Sequence, residues 1–366
     1  MTAAETTTPT IDTSADAFAE RVFAAVLGAQ DVHAIYLGDR LGWYRALAEH
    51  GPLTSVELAE RTASNERYAR EWLEHQAVGG YVTVDDVDAA ATERRYTLPE
   101  GHAEVLTDED SLTFLAPLAR FIGGVGFHLD KIAAAYRDGG GVSWAELGED
   151  PREAQAAVNR PLFLHQLGQE ILPAIPDVHD RLRSGGRAAD VGCGAAWSAI
   201  GIARSYPEVT VDGFDIDEPS IEMGRRNAVE YGVADRVQLH VSDGAAAEPA
   251  GGYNAVFAFE CIHDMPDPVS VLASMRRLAG DDGAVVVMDE RTEDRFTAPG
   301  TDVERLFYGY SLTCCLPDCL SSEPSEGTGT VMRTDTLADY ARRAGFDGVE
   351  VLPIEHETFR FYRLHH

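Results

Sequence analysis

The sequence predicts an α/β fold: an open, doubly wound, mostly parallel sheet of seven strands in the second half, behind a smaller, mainly helical domain. Three observations carry this prediction. From residue 187 onward, short apolar and β-branched runs alternate with helical patterns. The first run enters a glycine-rich turn, "RAADVGCGAAWSAIGIARSYPEVTVDGFDID" (187–217), which reads as strand, turn, helix and a second strand ending in acid. Before residue 100, by contrast, helical stretches are followed by only two short strands. At 366 residues the chain exceeds one ordinary core and suits two domains.

The elements follow in order. The polar, Thr-rich start is expected to be a disordered tail over residues 1–16. Residues 17–51 place Phe18, Val22, Phe23, Val26 and Leu27 at helical spacing, and two helices are expected there, the second ending at Gly51-Pro52. In "LTSVELAERTA", Thr54 stands three residues before Glu57, a capping box. "SNERYAREWLEHQAVGGYV" offers Ser64 as N-cap and Gly79-Gly80 as stop, and "YVTV" and "RRYTL" read as two short strands around an acidic loop. This order describes a winged helix-turn-helix over residues 17–100. Residues 101–183 read as a helical, substrate-covering linker with a break at "DGGGVS" and one helix over "RPLFLHQLGQEILPAIPDVHDRL". The second domain spans 184–366, with an insertion over 291–334. Its strands are "RAADVG", "VTVDGFD", "VQLHVSD", "NAVFAFE", "AVVVMDE", "GVEVLPI" and "TFRFYRL", with helices near 197–206, 219–232, 267–280 and 335–345. The last two strands are too close in sequence for a helical crossover and must pair antiparallel.

Composition narrows the function. Hydrophobic content of 45% with 25% charged residues is that of a soluble globular protein. No apolar run reaches the roughly 18–20 residues of a membrane span, and the start has no secretory h-region, so the expectation is a cytoplasmic protein without a membrane partner. Five scattered cysteines, one inside the glycine turn, fit a reducing compartment. With 61 acidic against 30 basic residues the net charge is −31, and Lys131 is the sole lysine. Such a chain repels phosphate backbones, and the would-be recognition helix carries Glu66, Glu71 and Glu74 beside Arg67 and Arg70. No nucleic-acid partner is expected, and the helical domain reads instead as a dimerisation and substrate-covering element. An acidic, lysine-poor surface suits a high-salt cytoplasm, and equally a genome that uses arginine for lysine.

In a doubly wound sheet the ligand sits beyond the carboxyl ends of the strands, at the switch point of strand order. Those ends are Asp190-Val-Gly192-Cys-Gly194 for the first strand, Asp215 for the second, Ser242-Asp243-Gly244 for the third and Phe259-Glu260 for the fourth. A glycine turn alone is shared by many nucleotide binders. Here the third glycine position holds Ala196, and acids follow both the second and third strands, so a ligand without phosphates fits better than a dinucleotide.

On these residues, 187–290 resemble the class I S-adenosylmethionine (SAM)-dependent methyltransferases, whose first motif has this D-x-G-x-G form. The resemblance implies a Rossmann-like sheet of order 3-2-1-4-5-7-6, counted from the strand at Arg187, with the last strand antiparallel. It implies SAM as cofactor, with Gly192 and Gly194 at its methionine portion and Asp190 near its amino group. Asp215 would hold the ribose, Ile216 would pack on adenine and Asp243 would meet the adenine amine. Gly244 and Phe259 complete the expected cofactor-binding set. Ala196 adds one methyl and affects only the closest helix approach. With its winged-helix start, the whole chain is similar to small-molecule O-methyltransferases of the plant and polyketide type, and closest in layout to a bacterial group carrying "HDM", "CLP" and "GTGTVMR"-like segments. In those relatives the N-terminal domain makes a homodimer and closes over a small-molecule substrate.

Past the fourth strand stands "ECIHDM". A histidine titrating near neutrality suits removal of a hydroxyl proton. By the resemblance, His263 is the general base, and Asp289, or less favourably Glu290, orients it. The alternative, that His263 only caps or packs the turn, stays open, and Asp264 is expected to cap or hydrogen-bond locally. His33, His128, His165 and His179 fall in helical segments, with His165, Gln166 and Phe163 candidates to face the site. Within the insertion, Phe307, Tyr308, Tyr310 and Leu312 supply either a pocket wall or the buried face of one helix. The thiols of "CCLPDC" (Cys314, Cys315, Cys319) lack the spacing of a closed zinc site, and no metal is expected. The leading expectation is SAM-dependent O-methylation of an aromatic or polyketide-like acceptor. Metalloid or thiol methylation at the cysteines, and a SAM-sensing winged-helix regulator, are the alternatives.

Overall fold

The computed structural model describes residues 13–248 and 252–366. It divides into two compact units, one ending at Gly123 and including Thr297–Pro299, the other holding the rest of the chain from Gly124. Residues 1–12 of the expected tail lie outside the described residues, and by Ala15 the chain is already helical.

In the first unit, α1 (Ala15–Arg40) and α2 (Trp43–His50) are separated at Gly42, whose φ of 68° glycine adopts without strain. The capping box of α3 (Ser55–Arg61) forms as expected: Glu57 N donates to Thr54 Oγ1 at 3.2 Å, and Thr54 N to Glu57 Oε2 at 2.8 Å. The cap of α4 (Glu66–Val78) is Asn65, not Ser64. Ser64 Oγ instead accepts from Trp43 Nε1 at 3.1 Å, so packing of the tryptophan decides between two competent caps. Strands β1 (Thr83–Val84) and β2 (Tyr96–Thr97) form the short antiparallel wing, and Leu53 bridges to Tyr96. Trp43, Tyr44, Leu47, Leu58, Trp72 and Leu73 make the core. The arginines of α4 are engaged with carboxylates, Arg67 with Glu71 and Arg70 with Glu66, while Glu74 binds Arg94. Helix α5 (Glu100–Thr107) follows, and the first compact unit runs on to Gly123, inside α6 (Ala116–Gly126).

The second unit adds α7 (Leu129–Asp138), the left-handed Gly139 and Gly140 at the expected break, α8 (Trp144–Leu147) and α9 (Glu149–Leu162). The single helix expected over 160–182 is instead three pieces beyond the end of α9. A π-helical stretch, Phe163–Ile171, passes through a 3₁₀ turn into α10 (Pro176–Arg183). Pro161, Pro173 and Pro176 each withhold an N–H from the helical ladder, which accounts for the changes of winding.

The sheet alternates as expected: β3 (Gly186–Val191), α11 (Trp197–Ser205), β4 (Val209–Asp215), α12 (Glu218–Glu230), β5 (Val237–Val241), β6 (Ala255–Phe259), α13 (Pro268–Ala279) and β7 (Ala284–Glu290). The insertion forms α14 (Asp302–Tyr310), a π turn (Ser311–Cys315) and α15 (Leu316–Cys319), before α16 (Thr334–Arg343), β8 (Gly348–Val351) and β9 (Phe359–His365). Spatial order is β5-β4-β3-β6-β7-β9-β8, which counted from β3 is 3-2-1-4-5-7-6. Only β9 runs against its neighbours β7 and β8. Order reverses between β3 and β6, so the carboxyl ends of these two central strands flank the switch point.

Candidate active site

The turn after β3 is built for close approach. Asp190 is fully buried and pairs in register with Gly213 of β4. Its Oδ2 accepts from Ser198 Oγ, while Oδ1 is buried with no partner. Burial pushes the carboxyl up to about 7, against the Ser198 hydrogen bond and with help from the charge of Asp215. Gly192 has φ 74°, and a Cβ there would lie 2.6 Å from Cys261 Sγ, so only glycine fits. Gly194 has φ 48°, and its N–H donates to Asp215 Oδ2 at 2.7 Å. Ala196, in the third glycine position, has φ 64°. Its left-handed backbone is a reason for glycine at that position beyond the helix approach expected from sequence.

At the end of β4, Asp215 Oδ1 accepts from Asp217 N at 2.8 Å, and burial raises its carboxyl. Ile216 beside it is 75% exposed, an apolar shelf with no protein partner to explain it. Asp243 is exposed and caps a short 3₁₀ turn, accepting from Ala245 N at 2.9 Å, and Gly244 lets that turn pack against Val191. Phe259, the last residue of β6, is 6% exposed and packs against Phe163 and Phe257 at centroid distances of 5.4 and 5.3 Å. Side chains alternate faces along a strand, so it shares a face with Phe257.

Beyond β6, a 3₁₀ turn (Ile262–Asp264) carries His263 to the end of β7. His263 is 2% exposed, and its Nδ1 lies 2.8 Å from Asp289 Oδ1 and 3.0 Å from Glu290 Oε2. Its Nε2 is 3.2 Å from Asp264 Oδ1, a charge contact in which that oxygen gains no aligned hydrogen bond. Burial opposes a charge on this ring, but the carboxylates of Asp264, Asp289 and Glu290 outweigh it and hold the imidazole well above its ordinary value. Asp289 is correspondingly held low by His263 in spite of burial, whereas burial drives Glu290 well up. Asp264 is not the helix cap; Asp267 takes that place, accepting from Ser270 N at 3.0 Å.

Glu260 is the residue the strand-end rule reached without giving it a role. It has φ 53°, rare for a residue with a Cβ, and its Oε2 is buried without a partner. Its left-handed backbone left no mark in the sequence.

The three thiols do not converge. Ligand-type atoms of His263, Asp264 and Cys315 lie within 4.8 Å of one another, as do those of His263, Asp289 and Glu290, but no group of described residues unites Cys314, Cys315 and Cys319. Cys319 contacts Met265 O and Ser325 Oγ, and Cys314 is raised by its hydrogen bond to Cys315 and by burial. The insertion aromatics also separate: Phe307 is buried, Tyr310 half-buried, and Tyr308 and Leu312 exposed. In the π-helical stretch, Phe163 faces the core while His165 is exposed.

Comparison with known proteins gives the same outline. Residues 163–351 match the family described as a methyltransferase domain, and residues 32–108 match the Rv2258c-like winged HTH domain. The chain is 32% identical over 167 residues to a 27-O-demethylrifamycin SV methyltransferase of Amycolatopsis mediterranei, covering 45% of this chain and 56% of that protein. It spans about half the length of that relative and of several ubiquinone biosynthesis O-methyltransferases. Among solved structures, the mitomycin 7-O-methyltransferase MmcR aligns with a TM-score of 0.71 at 22% identity, over 97% of this chain and 99% of its own. Human N-acetylserotonin methyltransferase, solved with SAM, aligns at 0.70 and 16% over 97% and 99%. These structural likenesses concern the fold.

Proposed function

The chain belongs to the methyltransferase-domain family, and from that premise we propose that it methylates a hydroxyl of a small aromatic or polyketide-like molecule, using SAM. The observation that carries this reading is the placement of one buried histidine–carboxylate group beside one glycine turn, at the single switch point of the sheet.

The residues suit the cofactor. The unpartnered, buried Asp190 Oδ1 needs a donor, as an amino group would provide. Gly192 and Gly194 clear the backbone for its methionine portion, Asp215 offers a carboxylate for ribose hydroxyls, and exposed Ile216 offers an apolar surface for adenine, with Asp243 beyond. When bound, SAM supplies a methyl group activated by the adjacent sulfonium. His263 Nδ1 donates to Asp289, which fixes the ring so that Nε2 is the nitrogen turned to the acceptor. Against burial, the three carboxylates keep this ring protonated to a higher pH than an ordinary histidine, so it is the neutral fraction of His263, growing with pH, whose Nε2 takes the acceptor's proton as the oxygen attacks and passes it to solvent. The sheet's contribution is alignment: it holds base and cofactor turn on adjacent strands, and such positioning accounts for much of the barrier lowering in a displacement of this kind.

The protein works as a homodimer through its N-terminal unit. Phe18, Val22, Phe23, Val26 and Leu27 of α1 are all 49–63% exposed, an apolar surface of the kind that marks an interface. Its workplace is the cytoplasm, where five unpaired cysteines stay reduced. No described helix is long and apolar enough to cross a membrane.

Calorimetric titration with SAM and with S-adenosylhomocysteine (SAH) tests the reading. Binding in the micromolar range, lost in Asp215→Ala, is expected, with His263→Ala keeping SAH affinity but losing turnover. A protein that binds neither nucleoside is not a SAM-dependent methyltransferase.

A further inference from the structure

Arg152 is the fourth residue of α9, and its guanidinium crosses to the loop after β4. Nε donates to Asp217 Oδ2 at 2.6 Å and Nη2 to Asp217 Oδ1 at 3.0 Å, a two-point pair between residues 65 positions apart. Both side chains are largely buried, at 11% and 7% exposure. The start of a helix is unfavourable ground for a cation, since the helix dipole presents its positive end there. Helix preference therefore does not account for an arginine at this place in α9, whereas the carboxylate of Asp217 does.

Asp217 in turn caps α12, its Oδ2 accepting from Ser220 N at 3.0 Å and from Ser220 Oγ at 2.6 Å. Its own N–H donates to Asp215 Oδ1 at 2.8 Å, while Gly194 N–H donates to Asp215 Oδ2 at 2.7 Å. The carboxylate offered to the ribose is thus held at both oxygens, one by the glycine turn and one by the residue that Arg152 clamps. Each carboxylate oxygen has room for a second donor, so ribose hydroxyls can bind without displacing either amide. Charge works in the same direction. Burial raises the Asp215 carboxyl, the amides of Asp217 and Gly194 lower it, and the negative charge of Asp217 raises it again. Among the described residues Arg152 is the cation paired with Asp217. Without it, an uncompensated and largely buried carboxylate would stand two residues from Asp215.

We propose that Arg152 is a positioning residue for the cofactor: it fixes Asp217 so that Asp215 presents its carboxylate to the ribose hydroxyls of SAM. This rests on the methyl-transfer reading of the same site. Arg152 touches no reacting atom and acts only through Asp217 and Asp215. Through it, α9, a helix from before the sheet, takes part in holding the nucleoside.

The test is calorimetry on the full chain with SAH and with its analogue whose ribose lacks the 2′ and 3′ hydroxyls. The wild-type chain is expected to bind SAH about thirtyfold or more tightly than the dideoxy analogue. Arg152→Met keeps the length and apolar stem of the side chain. It should weaken SAH about tenfold and leave the analogue within about twofold of wild type, so that the preference shrinks to about threefold. Arg152→Lys keeps the charge but loses the two-point grip, and its preference should fall between the two. Thermal unfolding confirms that each variant is folded; should Arg152→Met fail to fold, Arg152→Lys decides on the same comparison. A variant that weakens both ligands by the same factor reveals a merely structural pair and overturns the proposal. An undiminished preference in the variants, or a wild-type chain indifferent to the hydroxyls, overturns it as well. Failure of the wild-type chain to bind SAH at all overturns the methyltransferase reading instead.

Discussion

Asp190 joins two facts that the sequence could only suggest separately: it ends the first strand of the sheet, and one of its oxygens has nothing to bind. Its carboxyl sits near 7 in the protein without ligand, because burial opposes the charge. Pairing with an amino group requires the ionised form, so SAH affinity should rise with pH through about 7 and level off above it. At pH 6 the loss from this group is about tenfold relative to the plateau. Calorimetry between pH 5.5 and 8.5 checks this, and Asp190→Asn should flatten the curve; a flat wild-type curve contradicts the role. The same group bears on stability. A carboxyl raised in the folded state binds its proton more tightly than in the unfolded chain, so its contribution is largest at low pH and declines from about 4 to about 7. Strand-end positions singled out Asp190 and Asp215, and the family resemblance supplied the His263–Asp289 pair. Neither revealed the left-handed Glu260 or Asn65 taking the cap from Ser64. The second of these depends on a neighbour far along the chain, Trp43, which engages Ser64.

Helical periodicity located α1 correctly but said nothing about what its apolar residues would meet. Of its 26 residues only Ala34 and Gly38 are buried. Full burial of one large apolar side chain contributes roughly 1.5–3 kcal/mol, so several on one helix can sustain an association. Phe23→Glu and Val26→Glu together should give a monomer in sedimentation equilibrium, where the wild-type chain sediments as a dimer. A wild-type monomer at micromolar concentration would remove α1 as an interface. The region after α9 shows the opposite limit. Its composition read as one helix, and three prolines with a π-helical stretch made it three. Backbone hydrogen-bond register inside a helical run is not encoded in apolar spacing, since α and π windings bury nearly the same side chains.

Over the whole molecule, acidic charge prevails, with 61 acidic against 30 basic residues. Self-repulsion at −31 is screened as salt shortens the Debye length from about 10 Å at 0.1 M to about 3 Å at 1 M. The melting temperature should therefore climb with KCl from 0.05 M and flatten beyond about 1 M. Differential scanning calorimetry checks this, and a melting temperature indifferent to KCl would show the surface charge to be locally compensated. The sequence by itself determined what is local: the alternation of strands and helices, the glycine turn and the acids at strand ends, each resting on residues within a few positions of one another. The strand order was what the resemblance to the class I methyltransferases implied. Only the tertiary structure decided that Asp264, Asp289 and Glu290 all close on one histidine, that Glu260 takes a left-handed backbone, and that no group of described residues unites the three thiols. Those outcomes depend on how segments distant in sequence come to rest, with His263 and Asp289 26 positions apart. At that range packing rather than spacing sets the distances.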